Sequence, residues 1–426
     1  MEVQTKGNRL RLQWDGFKNS INRKFPSMAS TQYVGEMGDR DLRIDFLRGV
    51  AMTVLLLVHF EFYSWYNLII WERIGFVTGA EIFVALSGIV VGMVYKRKIE
   101  KEGLKAAAFK LLDRAAQLYR VNLFIIFSVF LISLISTIDS RLLTTYINEY
   151  TGEISSLFPT AAEMKPVAIV GHLLLLKSSP PYTQILGLYT ILLLVAPLAL
   201  WAMQNKKTGI VLGLSLLAYF ANQAYPSTPT GAQFEYGFPL LAWQVLFFMG
   251  MAVGFHRENI AKFMSVPLGK IIFGILFLTF FAFLFIAQNT SNPNLPEWSK
   301  LHFISSQKFD HWYFTYFVKD RLDVARIINL VAVLSVAYWA LTRYWKIVVS
   351  TLGKFFIPLG QATLYVFVVH VFLILILSNT HLIKMGNNQL TMHSGNIWLN
   401  TLIHTGVLIL VWYMVKKQVL FKWIPR

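Results

Sequence analysis

The sequence predicts an all-α membrane protein that crosses the bilayer about ten times and has both termini in the cytoplasm. Hydrophobic residues make up 55% of the chain and charged residues only 14%, whereas a soluble domain has about 45–50% apolar and about 25% charged residues. The mean hydropathy is +0.52. Apolar runs of about 20 residues, the length needed to cross a bilayer, recur along the whole chain.

Ten apolar runs bounded by charged or turn residues are the candidate spans. They lie near residues 46–66, 79–95, 118–138, 182–203, 208–225, 239–255, 268–287, 326–342, 357–378 and 397–415. We therefore expect residues 40–420 to form one transmembrane domain. Residues 1–39 are polar and basic, and without an apolar stretch they predict a cytoplasmic tail and not a signal peptide.

The net charge of +17 is interpreted as a signal of topology. The basic residues lie between apolar runs, and an excess of Lys and Arg marks cytoplasmic loops. Basic residues follow every even-numbered span, as at Lys96–Lys98, Lys206–Lys207 and Lys416–Lys417, which predicts an even number of spans. We expect the chain to lie in the lipid of an inner membrane and not to bind nucleic acid.

Some classes of chemistry are excluded by composition and spacing. The chain has no cysteine, which excludes disulfides, thiolate metal sites and a cysteine nucleophile. We find no metal-ligand spacing and no glycine-rich phosphate loop, so no metal and no permanently bound cofactor is expected.

Arg48 and His59 are the most informative polar residues of the first span. Eleven residues separate them by about 16 Å and by about three helical turns, so both side chains face the same direction. One long ligand can then place an anionic head at Arg48 and a reactive end at His59. The alternative is an arginine that reaches the interface and a histidine that is satisfied within the core.

Other ionisable or polar groups are weaker candidates. Arg43 belongs to a charged entry segment, which indicates either a basic mouth for a polyanion or an anchor at the interface. Glu81, Ser87 and His370 lie within predicted spans, where a functional role competes with helix packing. Glu61 is expected near the periplasmic rim. Gln184, His172 and His404 are further candidates for a cavity lining.

Several short motifs resemble one known family when they are taken in order. Arg48, ten intervening residues and His59 resemble the Arg-x10-His signature of the membrane-bound acyltransferase-3 superfamily. The resemblance to its OpgC-type branch rests on the segments Arg40–Gly49, Ala80–Val84 with Ser87-Gly88, Gln117–Arg120, Ala242–Gly250 around Trp243, Asp323–Asn329 and Pro358–His370. One position departs from the family, which often has an aspartate where this chain has Gln184.

This resemblance implies acyl transfer from cytoplasmic acyl-CoA, with succinyl-CoA as the expected co-substrate, to hydroxyls of a periplasmic glucan. It implies that Arg48, Arg43 and Arg120 hold the CoA phosphates. His59 is the expected base or acyl carrier, and Glu81 or Glu61 is expected to orient it or to contact the acceptor. The remaining candidates for substrate contacts are Glu61, Ser87, His370, Gln184 and Trp243.

A proton-coupled transporter or exporter of a glycan or small organic anion is the main alternative. Such a protein also uses buried histidines and glutamates to move protons. Transporters often contain internal repeats with broken helices in matching halves, and we see no such symmetry in the sequence. A purely structural membrane protein leaves the buried ionisable groups without an explanation.

Overall fold

A computed structural model describes residues 31–33, 40–60, 62–147, 154–160, 162–380, 384–386, 389–393 and 396–425. The helices are α1 (Leu42–His59), α2 (Asn67–Ile70), α3 (Gly79–Ser133), α4 (Arg141–Thr144), α5 (Pro166–Leu174), α6 (Gln184–Gln204), α7 (Thr208–Ala224), α8 (Phe234–Gly237), α9 (Leu240–Phe255), α10 (Arg257–Ser265), α11 (Pro267–Ala287), α12 (Ser306–Tyr316), α13 (Val324–Arg343), α14 (Trp345–Val348), α15 (Lys354–Gln361), α16 (Thr363–Ser378) and α17 (Ile397–Lys416). Short 3-10 turns lie at Pro181–Thr183 and Glu297–Ser299, and a π turn lies at Val349–Gly353.

Strands are confined to two short antiparallel hairpins in the part of the chain that the structure describes. Strand β1 (Thr145–Ile147) pairs with β2 (Ile154–Ser156), and Thr145 lies opposite Ser156. Strand β3 (Lys384–Gly386) pairs with β4 (Gln389–His393). The hairpins interrupt the loops between long helices, so the described architecture is helical.

The long apolar helices identify a polytopic membrane protein. Among the described residues, five helical segments are long and apolar enough to cross a membrane: α3, Pro181–Gln204, α11, α13 and α17. Two further pairs meet the same criteria but bend sharply, by 76° between α9 and α10 and by 86° between Trp345–Gln361 and α16. The structure therefore supports five to seven spans, and ten crossings with cytoplasmic termini stay predictions.

Helix α3 is a helical hairpin that contains the predicted span 79–95 and most of the predicted span 118–138. At Gly103 the backbone has φ 85° and ψ 165°, a conformation that glycine adopts without steric cost. The Tyr95 hydroxyl lies 3.5 Å from the carbonyl oxygen of Lys110, although 15 residues of straight helix extend about 22 Å. The chain therefore reverses at Gly103, and the arms on either side run antiparallel.

The first arm of α3 packs against α9 with the two backbones in contact. A Cβ added to Gly88 lies 2.1 Å from the carbonyl oxygen of Phe247, and one added to Gly250 lies 2.3 Å from that of Ala85. Neither position has room for a methyl group. The small residues thus set the distance between two helices that border the site.

Helix α1 makes an equally close contact with α15. A Cβ on Gly49 lies 1.9 Å from the carbonyl oxygen of Phe356, and one on Gly360 lies 1.8 Å from that of Asp45. Because α15 is followed by the bend into α16, this contact brings the start of α16 beside the first half of α1. The two helices then face each other over the residues that form the candidate site.

Candidate active site

Two histidines from α1 and α16 meet in the interior. His59 is the last residue of α1, and His370 is completely buried on α16. The distance between His59 Nδ1 and His370 Nε2 is 3.1 Å. His370 Nδ1 lies 3.3 Å from the carbonyl oxygen of Val366. The two imidazoles and this carbonyl therefore form one continuous hydrogen-bonded row.

The row determines which nitrogen carries each proton in the uncharged pair. A carbonyl oxygen only accepts, so the Nδ1–H of His370 donates to Val366. The Nε2 lone pair of His370 then accepts the Nδ1–H of His59. The Nε2 atom of His59 is left with a lone pair, which is the state that a general base requires.

The aromatic ring of Tyr182 forms one wall beside this base. Its centroid lies 4.9 Å from that of His59. Two residues later Gln184 begins α6 and is 8% exposed. Gln184 approaches the chain at the end of α8, since a Cβ on Gly237 lies 3.0 Å from its Oε1 atom. The segment around Tyr182 thus connects the histidine pair to the loop that follows α8.

Lys319 is a cation on this side of the site. Its Nζ atom lies 5.6 Å from the ring centroid of Phe238, and it is within electrostatic range of His59. None of the ion pairs among the described residues includes Lys319. On the same loop, burial raises the pKa of Asp320, and the charges of Lys319 and Arg326 oppose that effect.

Arg48 lies at the other end of α1, about 16 Å along the helix axis from His59. Its Nη2 atom donates to Thr363 Oγ1 at 2.8 Å, and its Nε atom is buried without a hydrogen-bond partner. Arg40 and Arg114 are within electrostatic range of its guanidinium. Asp45 lies in the same group and pairs with Arg40 at 2.5 Å, so this basic cluster has a net positive charge and an unused donor on Arg48, which suits an anionic ligand.

The other two predicted phosphate ligands engage different partners. The guanidinium of Arg43 lies 4.0 Å from the Tyr33 ring and 4.3 Å from the Tyr338 ring, and it pairs with Asp41 at 2.8 Å. Burial alone raises the pKa of Asp41, but the hydrogen bond and charge of Arg43 lower it below its usual value. Arg120 is exposed and donates to the carbonyl oxygen of Ala116 at 3.3 Å.

Glu81 belongs to a buried ion-pair network. Its Oε1 atom lies 2.6 Å from Arg326 Nε, and both side chains are almost completely inaccessible. Arg326 also binds Glu72 at 2.7 Å, and Glu81 accepts from the backbone nitrogen of Thr78 at 2.5 Å. Among the described residues we find no hydrogen bond between Glu81 and His59. The carboxylate joins the start of α3 to α13.

The remaining candidates occupy separate positions. Ser87 is 1% exposed on the arm of α3 that packs against α9, and Trp243 is 0% exposed. The ring of Trp243 contacts that of Phe238, with centroids 4.8 Å apart. Glu61 lies outside the described residues. Trp243 therefore supports the ring beside Lys319, while Ser87 belongs to the close helix contact.

The fold and the site define a polytopic helical membrane protein with a hydrogen-bonded histidine pair in its interior. Its family follows from a direct comparison: the sequence model described as OpgC protein matches residues 40–423. The chain belongs to this OpgC protein family, which implies a transferase of bacterial membranes. No curated protein and no solved structure matches the chain.

Proposed function

We propose that the protein transfers a succinyl group from cytoplasmic acyl-CoA across the bacterial inner membrane to hydroxyl groups of a periplasmic glucan. Membership of the OpgC protein family supports this class of reaction. The observation that carries the proposal is the hydrogen bond of 3.1 Å between His59 and His370. It leaves His59 Nε2 with the free lone pair needed to activate a hydroxyl.

His59 acts as the general base in this reaction. Its Nε2 atom takes the proton of the sugar hydroxyl while the hydroxyl oxygen attacks the thioester carbonyl carbon. An ester bond forms and the carbon–sulfur bond breaks. The CoA thiolate leaves with the electron pair of that bond and is protonated by the imidazolium of His59. The His59 ring returns to the neutral state. His370 holds the His59 ring in the same orientation throughout.

The basic cluster at the start of α1 accounts for recognition of the donor. CoA carries its phosphates at one end and its thioester at the end of a long pantetheine arm. Arg48 has a buried, unused Nε–H and is accompanied by Arg40 and Arg114. The ~16 Å between Arg48 and His59 separates an anion-binding end from a reactive end, as this donor requires.

Lys319 supports a donor that has a second carboxylate. A succinyl thioester ends in a carboxylate, which needs a cation or several hydrogen-bond donors where water is scarce. Lys319 lies within electrostatic range of His59 and belongs to none of the ion pairs described above. In this proposal its ammonium group binds the distal carboxylate while the thioester carbonyl faces His59 Nε2.

The reaction is tested by measuring CoA thiol release from the purified protein. Succinyl-CoA and acetyl-CoA are supplied with and without a β-glucan, and a thiol reagent detects free CoA; the chain has no cysteine and adds no signal. We expect release that needs the glucan and falls by about 10²–10⁴-fold in His59→Ala. His311→Ala, at an exposed histidine of α12, is the matched control.

The same experiment separates this proposal from transport. The 86° break before α16 is a feature that transporters share, and a histidine pair can also move protons. Thiol release that is absent with every donor, together with a proton-coupled flux into vesicles that His59→Ala abolishes, contradicts the acyltransferase and identifies a transporter.

A further inference from the structure

A cavity of about 290 Å³ lies next to the loop that carries Lys319. It is formed by the end of α7, the segment that leads into α8 and α9, and the turn before α13. The side chains that define its chemistry are Asn222, Glu235, Tyr236, Pro239, Asp320 and Arg321. None of these residues has a role in the reaction described above, so the cavity is a separate feature of the fold.

Glu235 lines this cavity and carries an unsatisfied acceptor. The residue is 1% exposed. Its Oε2 atom accepts from the backbone nitrogen of Thr230 at 2.8 Å and from the Thr230 hydroxyl at 2.6 Å. Its Oε1 atom is buried and has no hydrogen-bond partner. A buried carboxylate oxygen without a donor is costly, so a ligand that supplies a hydroxyl or N–H group is expected here.

The other lining residues indicate a neutral polyol. Tyr236 is 72% exposed and offers an aromatic face on which the C–H face of a sugar ring packs. The lining carries charges of both signs, with Glu235 and Asp320 against Arg321, and Arg321 pairs with Asp323 at 2.9 Å. Charged donors and acceptors of both kinds, together with the apolar face of Pro239, suit a ring that carries several hydroxyl groups.

Two residues of the cavity lining are sequence neighbours of residues that approach the histidine site. Tyr236 precedes Gly237, which lies against the Gln184 side chain beside Tyr182. Asp320 follows Lys319, which is within electrostatic range of His59. The lining residues Tyr236 and Asp320 are thus sequence neighbours of residues on the histidine side of the fold.

We propose that this cavity binds a glucosyl unit of the acceptor that neighbours the unit being acylated, with Glu235 accepting a sugar hydroxyl and Tyr236 packing on a sugar ring. This inference rests on the proposed function, because that function supplies the glucan. It adds the place where the acceptor is held and the residues that recognise it.

The test measures binding and turnover separately on the full chain in detergent. A neutral β-linked glucooligosaccharide is titrated by saturation-transfer NMR, and its KM is measured by thiol release with succinyl-CoA. We expect Tyr236→Ala and Glu235→Gln each to raise the Kd and the acceptor KM about tenfold. Tyr236→Phe keeps the ring and should bind like the wild type. Tyr225→Ala, at an 83% exposed tyrosine outside the lining, is the matched control.

Each result decides between the two proposals. If the wild type binds the oligosaccharide and neither variant weakens binding, the acceptor lies elsewhere; the cavity assignment is then wrong and the acyltransferase stands. If the wild type releases CoA but binds no glucan, both the assignment and the glucan acceptor are wrong. Glu235→Gln can disturb the turn at Thr230, so the exposed Tyr236 decides the matter where the melting temperature of Glu235→Gln has fallen.

Discussion

His370 donates to a backbone carbonyl with one ring nitrogen and faces His59 with the other, at 3.1 Å from His59 Nδ1. The carbonyl of Val366 fixes the tautomer of His370, and His370 in turn fixes that of His59. His370 is therefore a positioning residue whose effect on the reaction passes through His59. Variants of His370 should therefore affect turnover, which variants of a histidine that only packs in the interior would not do.

Replacing His370 tests this positioning role. We expect His370→Leu to lower kcat by about a hundredfold with little change in the KM for succinyl-CoA, because the His59 ring loses its orientation while the donor site is intact. His370→Gln keeps an oxygen that can accept the Nδ1–H of His59, and it should recover part of the activity. Steady-state thiol release measures both parameters.

A purely structural role predicts a different pattern for these variants. Leu and Gln would then lower the melting temperature and the amount of folded protein, but kcat per folded molecule would be equal in both. Full activity in His370→Leu contradicts the orientation argument directly.

Arg48 and Arg114 are expected to bind the donor and not to act in the chemical step. Charge-assisted hydrogen bonds to phosphate contribute about 1.5–3 kcal/mol each, so Arg48→Ala or Arg114→Ala should raise the KM for acyl-CoA roughly ten- to a hundredfold. Their kcat should change much less. Initial rates at a series of succinyl-CoA concentrations check this.

Arg120 is the informative comparison for Arg114, since both lie on the second arm of α3. The sequence pattern favours Arg120 as a phosphate ligand, whereas the structure leaves Arg120 exposed and brings Arg114 within range of Arg48. A larger KM change in Arg120→Ala than in Arg114→Ala would support the motif over the geometry.

Lys319 is expected to determine which acyl group is used. Lys319→Gln removes the positive charge that would bind the distal carboxylate of a succinyl group, and acetyl-CoA has no such carboxylate. The ratio of kcat/KM for succinyl-CoA to that for acetyl-CoA should fall by roughly an order of magnitude. Parallel measurements with the two donors give this ratio, and an equal loss with both donors excludes a role in selectivity.

Much of the helical layout could be predicted from apolar run length alone. The runs near 268–287 and 397–415 agree with α11 and α17 within two residues, because a span must hide its backbone polar groups within the helix. Hydropathy depends only on residue type and carries no information on where the backbone changes direction. It therefore missed the 86° break within the run at 357–378 and the close connection of two runs through the reversal at Gly103.

The histidines could be named from the sequence, but their pairing could not. His59 and His370 are 311 residues apart, and the backbone contacts of α1 with α15 together with the hydrogen bond from Arg48 to Thr363 bring their helices together. Lys319 and Tyr182 carried no comparable signal, since a loop lysine and a tyrosine after two prolines are ordinary surface or packing residues. Their relevance comes from the elements that fold beside them.

Variants of Glu81 and Arg326 distinguish an effect on stability from an effect on catalysis. Both side chains are almost completely buried, and the 2.6 Å ion pair connects the start of α3 to α13. Removing one partner leaves an uncompensated charge, which typically costs about 3–5 kcal/mol. We therefore expect Arg326→Met to lower the melting temperature strongly, and Glu81→Gln to lower it less because the amide oxygen can still accept from Arg326.

The double variant Glu81→Gln/Arg326→Met sharpens this prediction, because it removes both charges and should recover part of the stability lost in Arg326→Met. Thermal unfolding in detergent is measured alongside thiol release per folded molecule. If Glu81 only joins the two helices, the folded fraction of Glu81→Gln keeps its turnover rate. A roughly hundredfold slower turnover at an unchanged melting temperature would instead show that Glu81 takes part in the chemistry, as the sequence motif suggested.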